Sequence, residues 1–264
     1  MVKKKDLQAA LKGSRYQVPA LARGLKILEF LASKPEGCTI AELVSVLKLP
    51  KPSVFRMLLT LTEGGYLVRA EELSKYRLSR KMLSLGYAAV DSQGLLEKSI
   101  DILRKLRDLS GETASLSVLS GNEGIMLEQA PSSHAVKVIV QIGHRFPLHT
   151  AAPGKALLAF LPCDERDKII DSLEYRRFTA TTITSKEAFL KELKGVRESG
   201  VAFDRGEELD DLRCVAAPIL DYYGYPVAAL CASGPSSRIK ERELVRFSGI
   251  VLKHAKMISE RFSF

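Results

Sequence analysis

The sequence predicts an α+β protein in two parts: a mainly helical first third and a longer mixed domain with a largely antiparallel sheet. Three observations carry that prediction. Two short helix-period segments meet at a tight break between Thr39 and Leu67. The whole formal charge of +9 falls within residues 1–81, which hold 16 Lys and Arg against 7 Asp and Glu, while the remainder balances at 24 and 24. From Gly111 onward, short β-like runs are grouped around helices without strict strand–helix alternation.

A chain of 264 residues suggests two domains, and 46% hydrophobic with 27% charged residues is a globular composition, not a disordered one. No apolar run is long enough to span a bilayer and no apolar leader opens the chain, so a cytoplasmic protein without a membrane partner is expected. Cys38, Cys163, Cys214 and Cys231 lack paired spacing and each lies in or beside an apolar segment, which reads as buried free thiols. His134, His144, His149 and His254 form no zinc-binding pattern, and no cofactor is expected.

Residues 1–17, with Lys3-Lys4-Lys5, read as a flexible basic segment. Ala20 to Leu31 is helical in period, with Leu21, Leu25, Leu28 and Leu31 expected on its buried face, and Pro35-Glu36-Gly37 breaks it. Ile40, Leu43, Val44 and Leu47 mark a second helix that ends at Lys48-Leu49-Pro50. Val54, Met57, Leu58 and Leu61 then recur at i, i+3, i+4 and i+7 before Gly64-Gly65. Two short helices joined by a tight turn form a helix-turn-helix pattern, whose second helix lies in the DNA major groove. An ordinary αα-hairpin has the same spacing. The concentrated positive charge favours the DNA reading, because cations that displace counterions from phosphates supply affinity for duplex.

Tyr66 to Arg69 and Lys75 to Leu78 are β-like runs around a polar turn, which completes a winged helix-turn-helix over 18–78. Arg69, Lys75 and Arg77 would bring positive charge to phosphates or a minor groove; a solvated charged hairpin is the alternative. On the recognition segment 51–63, Lys51, Pro52, Ser53, Phe55, Arg56 and Thr60 avoid the buried face. Pro52 suits the first helical turn. Lys51 and Ser53 are placed for phosphate, Arg56 for a bidentate contact to guanine, and Phe55 for a thymine methyl or for packing on the wing. Arg23, on the first helix, joins these candidates. Residues 79–94 read as a linker helix whose stripe of Met82, Leu85, Gly86 and Ala89 lacks a partner in the small module, so subunit contact is expected; Ser92-Gln93-Gly94 ends it.

The second domain, 95–264, opens on a helix with Leu95, Leu96, Ile100, Ile102, Leu103, Leu106 and Leu109 on its apolar side. Strands are expected at 113–119, 124–128, 136–140, 215–219 and 227–232, and helices at 154–161, 164–173, 186–199 and 238–264.

From about Val18 to Glu260 the sequence closely resembles IclR-type bacterial transcriptional regulators. Ala20 to Leu28 (ALARGLKIL) is similar to the family's first helix, and Leu49 to Arg56 (LPKPSVFR) to its turn and recognition helix. Pro147-Leu148-His149-Thr150-Ala151-Ala152-Pro153-Gly154-Lys155-Ala156-Leu157-Leu158-Ala159 matches a further block, as do Arg213 to Ile219 and Ser233-Gly234-Pro235. The resemblance implies a GAF-like effector domain behind the linker, dimers that pair into tetramers, and small organic acids as effectors. It also implies operator DNA as the partner, with repression or activation set by the promoter and, for some members, contact with RNA polymerase. It carries effector contacts onto Ala152, Pro153, Asp204, Leu212 and Cys214. Gly154 belongs to the same helix start, whose N–H groups and partial positive charge suit an anion. Leu148 would add an apolar wall and Ser233 a hydroxyl. The alternative is a plain core helix beside a small buried cysteine.

Two positions depart from the family pattern: Asp211 replaces a common glycine, and Pro153 removes one N–H donor at the helix start. Cys214, His149 and Asp204 could also be cast as nucleophile, base and orienter, but no local nucleophile motif surrounds Cys214, so no enzyme is expected. An architectural DNA-binding protein without a ligand would not need the neutral second domain.

Overall fold

The computed structural model describes residues 18–70, 74–90 and 94–262, without the side chains of 86–90. The expected basic segment 1–17, residues 71–73 of the expected polar turn, residues 91–93, and residues 263–264 of the expected last helix lie outside the described residues. The chain separates into two compact units that divide between residues 92 and 93.

The first unit comprises α1 (Pro19–Ala32), α2 (Ile40–Leu47), α3 (Lys51–Glu63), the antiparallel hairpin β1 (Leu67–Ala70) and β2 (Lys75–Leu78), and α4 (Lys81–Val90). A capping box opens α2: the Thr39 hydroxyl accepts from the Glu42 N–H at 3.3 Å, and the Glu42 carboxylate accepts from the Thr39 N–H at 2.7 Å. Lys48 closes α2 in the left-handed region at φ 51°. Pro50 and Pro52 then start α3 without sacrificing a helical N–H. Ile27, Leu31, Cys38, Leu43, Val54, Leu58, Leu67 and Tyr76 form the core. Cys38 and Tyr76 exchange backbone hydrogen bonds of 2.9 and 2.8 Å, an isolated antiparallel bridge along the free edge of β2. Gly37 makes this possible, since a Cβ there would lie 2.7 Å from the Tyr76 carbonyl oxygen.

The buried line of α1 differs from expectation. Ile27 and Leu31 are buried and Leu28 half-buried, whereas Leu21 and Leu25 are 61% and 50% exposed. Apolar residues occur on more than one side of this helix, and the small core seats only the Ile27–Leu31 line.

The second unit comprises α5 (Leu95–Ser110), β3 (Thr113–Ser120), β4 (Glu123–Ala130), β5 (Arg145–Pro147), α6 (Ala152–Phe160), α7 (Cys163–Ser172), α8 (Lys186–Ser199), β6 (Ala202–Asp204), β7 (Leu212–Leu220), β8 (Pro226–Pro235) and α9 (Glu241–Ser259), with a 3-10 turn at Glu260–Phe262. Its sheet runs β5-β4-β3-β8-β7-β6, and every neighbouring pair is antiparallel. On one face α6, α7 and α8 pack over Cys214, Ala216, Ala229 and Cys231. The residues between them, such as Val215, Ala217 and Leu230, are buried towards the other face, where α5 and α9 pack together. Arg261 secures that layer by pairing with Asp101 of α5 through two bonds, at 2.6 and 2.9 Å.

Residues 136–140 do not form the expected strand. The side-chain amide of Gln129 takes up both the N–H and the carbonyl of Val140, at 3.2 and 2.5 Å, and so replaces a backbone ladder with a single side-chain bridge. The edge strand is instead the three-residue β5. Leu109 is 55% exposed, because the buried line of α5 runs through Leu95, Ser99, Ile102, Leu103 and Leu106. The short β6 was not visible as a separate run, and α9 begins at Glu241 and ends at Ser259.

Replacing Thr39 by Ala removes the hydroxyl half of the α2 capping box; the expected cost to the first unit is about 1 kcal/mol, read as a lowered denaturation midpoint.

Candidate nucleic-acid interface and effector site

On α3, Val54 and Leu58 are fully buried against the core, which turns Lys51, Pro52, Phe55, Arg56, Leu59 and Thr60 outward; Ser53 is half-buried. Arg56 carries the guanidinium on this surface. Thr60 turns its hydroxyl back to the Arg56 carbonyl oxygen at 3.0 Å. Leu59 is 47% exposed, much like Phe55 at 49%. The sequence reading missed Leu59, although its place one turn after Phe55 and off the Val54–Leu58 line was a usable signal. Arg23 is exposed on α1.

The hairpin divides its cations between two faces. Val68 pairs with Arg77 and Ala70 with Lys75, so Lys75 and Arg77 share one face. Arg69 pairs with Tyr76 on the other, with its guanidinium 5.9 Å from the ring centre. The start of α4 is fastened to the end of α3: Lys81 Nζ donates to the Gly64 carbonyl at 2.7 Å and lies 4.3 Å from the centre of the Tyr66 ring, and the Ser79 hydroxyl donates to the Gly65 carbonyl.

In the second unit the strand register sets Asp204, Cys214, Ser233 and Thr113 side by side across β6, β7, β8 and β3. All four are buried, and Cys214 belongs to the sheet face that α6 covers. Leu148, Ala152, Pro153 and Gly154 are buried at the start of α6, and Leu212 is half-buried at the start of β7. Gly154 allows the close approach of chain here, since a Cβ would lie 2.7 Å from both the Cα and the carbonyl oxygen of Leu148. Asp204 Oδ1 accepts from the N–H groups of Gly206 and Glu207 at 2.9 and 2.8 Å, while burial pushes the carboxyl above its usual range. The Cys231 thiol beside Cys214, and then burial, push the Cys214 thiol well up. His149 Nε2 lies 3.1 Å from the Arg176 carbonyl oxygen and its ring packs against Tyr175 and Phe178, so the imidazole is occupied away from Cys214. Asp211 is exposed and engages Ser236, which turns its charge to the surface.

The centre of this region is a residue that sequence reading treated only as a motif letter. Lys155 is fully buried, and its ammonium donates to Glu207 Oε1 at 2.5 Å, to the Phe203 carbonyl at 2.8 Å and to Glu192 at 3.3 Å. Burial raises the Glu207 carboxyl to about 7, with Lys155 pulling in the opposite direction. Glu207 Oε2 is buried without a hydrogen-bond partner. Thr179 and Thr182 donate to the carbonyls of Gly206 and Glu207, and Thr150 donates to Glu208 at 3.3 Å. Loop 204–208 is thereby strapped to the loop that precedes α8 and, through Thr150, to the segment that enters α6. Among the described residues no cluster of metal-ligating side chains occurs, and no helix is long and apolar enough to cross a membrane.

Two family models match the chain: the IclR helix-turn-helix domain over residues 20–71, and the bacterial transcriptional regulator IclR C-terminal domain over residues 87–260. The transcriptional repressor IclR of Escherichia coli K12 is 33% identical over 245 residues, covering 92% of this chain and 89% of that protein. The HTH-type transcriptional repressor AllR of the same organism is 32% identical over 240 residues, covering 91% and 89%. The crystal structure of an IclR transcriptional regulator from Alicyclobacillus acidocaldarius superposes with a TM-score of 0.80 at 25% identity, covering 94% of this chain and all of that one. An IclR homologue from Microbacterium hydrocarbonoxydans, complexed with 4-hydroxybenzoate, shares the fold at a TM-score of 0.80 and 23% identity, with 92% and 98% covered.

An acid whose folded pKa lies above its unfolded value contributes stability that is full below the unfolded pKa and is lost as pH rises through the folded one. Glu207 should therefore make the second unit less stable as pH rises from 4.5 towards about 7. Glu207→Gln is expected to remove that share of the slope in melting temperature against pH.

Proposed function

The chain belongs to the IclR family of bacterial transcriptional regulators, and from that premise we propose how its two units divide the work of a ligand-responsive DNA-binding regulator. The first, 18–78 with α4 behind it, holds operator DNA with α3 in the major groove. The second, from residue 95 onward, takes a small organic acid beside the start of α6. The observation that supports the DNA assignment most directly is α3 itself. Its core side is closed by Val54 and Leu58, and its open side carries Lys51, Phe55 and Arg56 on a unit whose sequence holds the net positive charge.

In this reading Arg56 meets a base edge, Lys51 and Ser53 hold phosphate beside Pro52 at the helix start, and Arg23, Thr60, Arg69, Lys75 and Arg77 flank the duplex. Arg69 faces away from Lys75 and Arg77, so the hairpin reaches the backbone mainly through the latter pair. For the effector, the N–H groups around Ala152–Gly154 hold the carboxylate, Ser233 and Asp204 meet hydroxyl or hydrate oxygens, and Leu148, Leu212 and Cys214 border the carbon skeleton. Cys214 serves as wall rather than nucleophile, in keeping with its raised thiol pKa. The protein acts without catalysis, in the cytoplasm, as a dimer or a dimer of dimers; the exposed Leu21 and Leu25 of α1 suit burial against a second copy. Control is exerted on the operator or through RNA polymerase. The effector acts by binding one of two conformations more tightly, since equal affinity for both would shift nothing.

Arg56→Ala is expected to weaken binding to a selected operator by about 1–3 kcal/mol while leaving random duplex nearly unaffected, as read by fluorescence anisotropy at fixed salt. Equal losses on both duplexes would reduce Arg56 to a phosphate contact. A panel of small carboxylic acids, with 4-hydroxybenzoate among them, should contain at least one that raises the melting temperature of the wild-type protein but not that of Ser233→Ala.

A further inference from the structure

The exposed side of α3 is more apolar than a helix that reads DNA by hydrogen bonds alone requires. Pro52, Phe55 and Leu59 lie along it at i, i+3 and i+7, and Phe55 and Leu59 are each about half exposed. Thr60 directs its hydroxyl back to the helix carbonyl of Arg56 rather than outward. Arg56 is thus the side chain on the middle of this face that can donate a fork of hydrogen bonds. In the major groove, the apolar group that duplex DNA presents is the C5-methyl of thymine. Cβ atoms one helical turn apart are about 5–6 Å from each other, against about 3.4 Å per base step along a strand, so two such side chains span neighbouring or next-neighbouring bases.

We infer that Phe55 and Leu59 form an apolar ridge that reads thymine methyls, so that each operator half-site sets two closely spaced thymines beside the base bound by Arg56. This rests on the placement of α3 in the major groove proposed above. It adds Leu59 as a specificity residue and states a chemical class of sequence for the operator.

The test uses the full chain. Duplexes are selected from a random library at fixed salt, and each thymine of the selected half-site is then replaced singly by deoxyuridine, which removes only the methyl. Two positions should lose affinity by about fourfold each, the worth of one buried methyl, with the others unchanged. Leu59→Ala should abolish the deoxyuridine penalty at one of them and Phe55→Ala at the other. Both side chains are exposed, and an unchanged melting temperature checks that each variant is intact. Deoxyuridine tolerated at every position in the wild type would overturn the ridge while leaving the DNA-facing helix standing, as would penalties that persist in both variants. Failure of the wild type to bind any duplex in a salt-sensitive manner would overturn the placement of α3 and the ridge with it.

Discussion

Lys155 sits on a helix that is buried along almost its whole length, and its ammonium is held between the Glu207 carboxylate, the Phe203 carbonyl and Glu192. A charge in that position is tolerable because Glu207 is buried beside it, and removal of one partner from such a pair costs about 3–5 kcal/mol. The arrangement joins two stretches of chain far apart in sequence. One is the entry to α6, with Leu148, Ala152 and Gly154. The other is β6 with the loop behind it, where Asp204 uses one carboxylate oxygen to fold residues 206 and 207 into a turn. The threonine bonds from 150, 179 and 182 reinforce it at the edges. The small side chains Cys214, Ala216, Ala229 and Cys231 let α6 pack close to the sheet beside this ion pair.

The first unit solves a different problem. A small module has little interior, and eight buried residues form its centre. It compensates with local devices: a capping box on α2, prolines that start α3, and a backbone rung between Cys38 and Tyr76 that Gly37 alone permits. Burial of Val54 and Leu58 in that centre then decides which residues of α3 are presented to a partner.

Much of this was legible in the sequence because periodicity is a direct consequence of burial. The two short helices, the stop at Gly64-Gly65 and the antiparallel character of the second sheet follow from spacing and turn chemistry. Legibility failed where two faces competed or where a side chain did a backbone's work. Leu21 and Leu25 resemble Ile27 and Leu31 in hydropathy, and only the assembled core distinguishes them. Residues 136–140 have β-prone composition, but Gln129 captures Val140 and ends the ladder. Lys155 was hidden inside an apolar run, where a lone lysine gives no sign of whether it snorkels out or is neutralised within. Leu59 escaped because a leucine in a helix reads as core until the neighbouring turns are placed.

Lys81 carries one more implication. Its ammonium caps the carbonyl end of α3 and lies over the Tyr66 ring, while Ser79 grips the adjacent glycine. The junction is therefore tied at two carbonyls. A displacement of the start of α4 would be passed to the C-terminal end of α3 through these bonds.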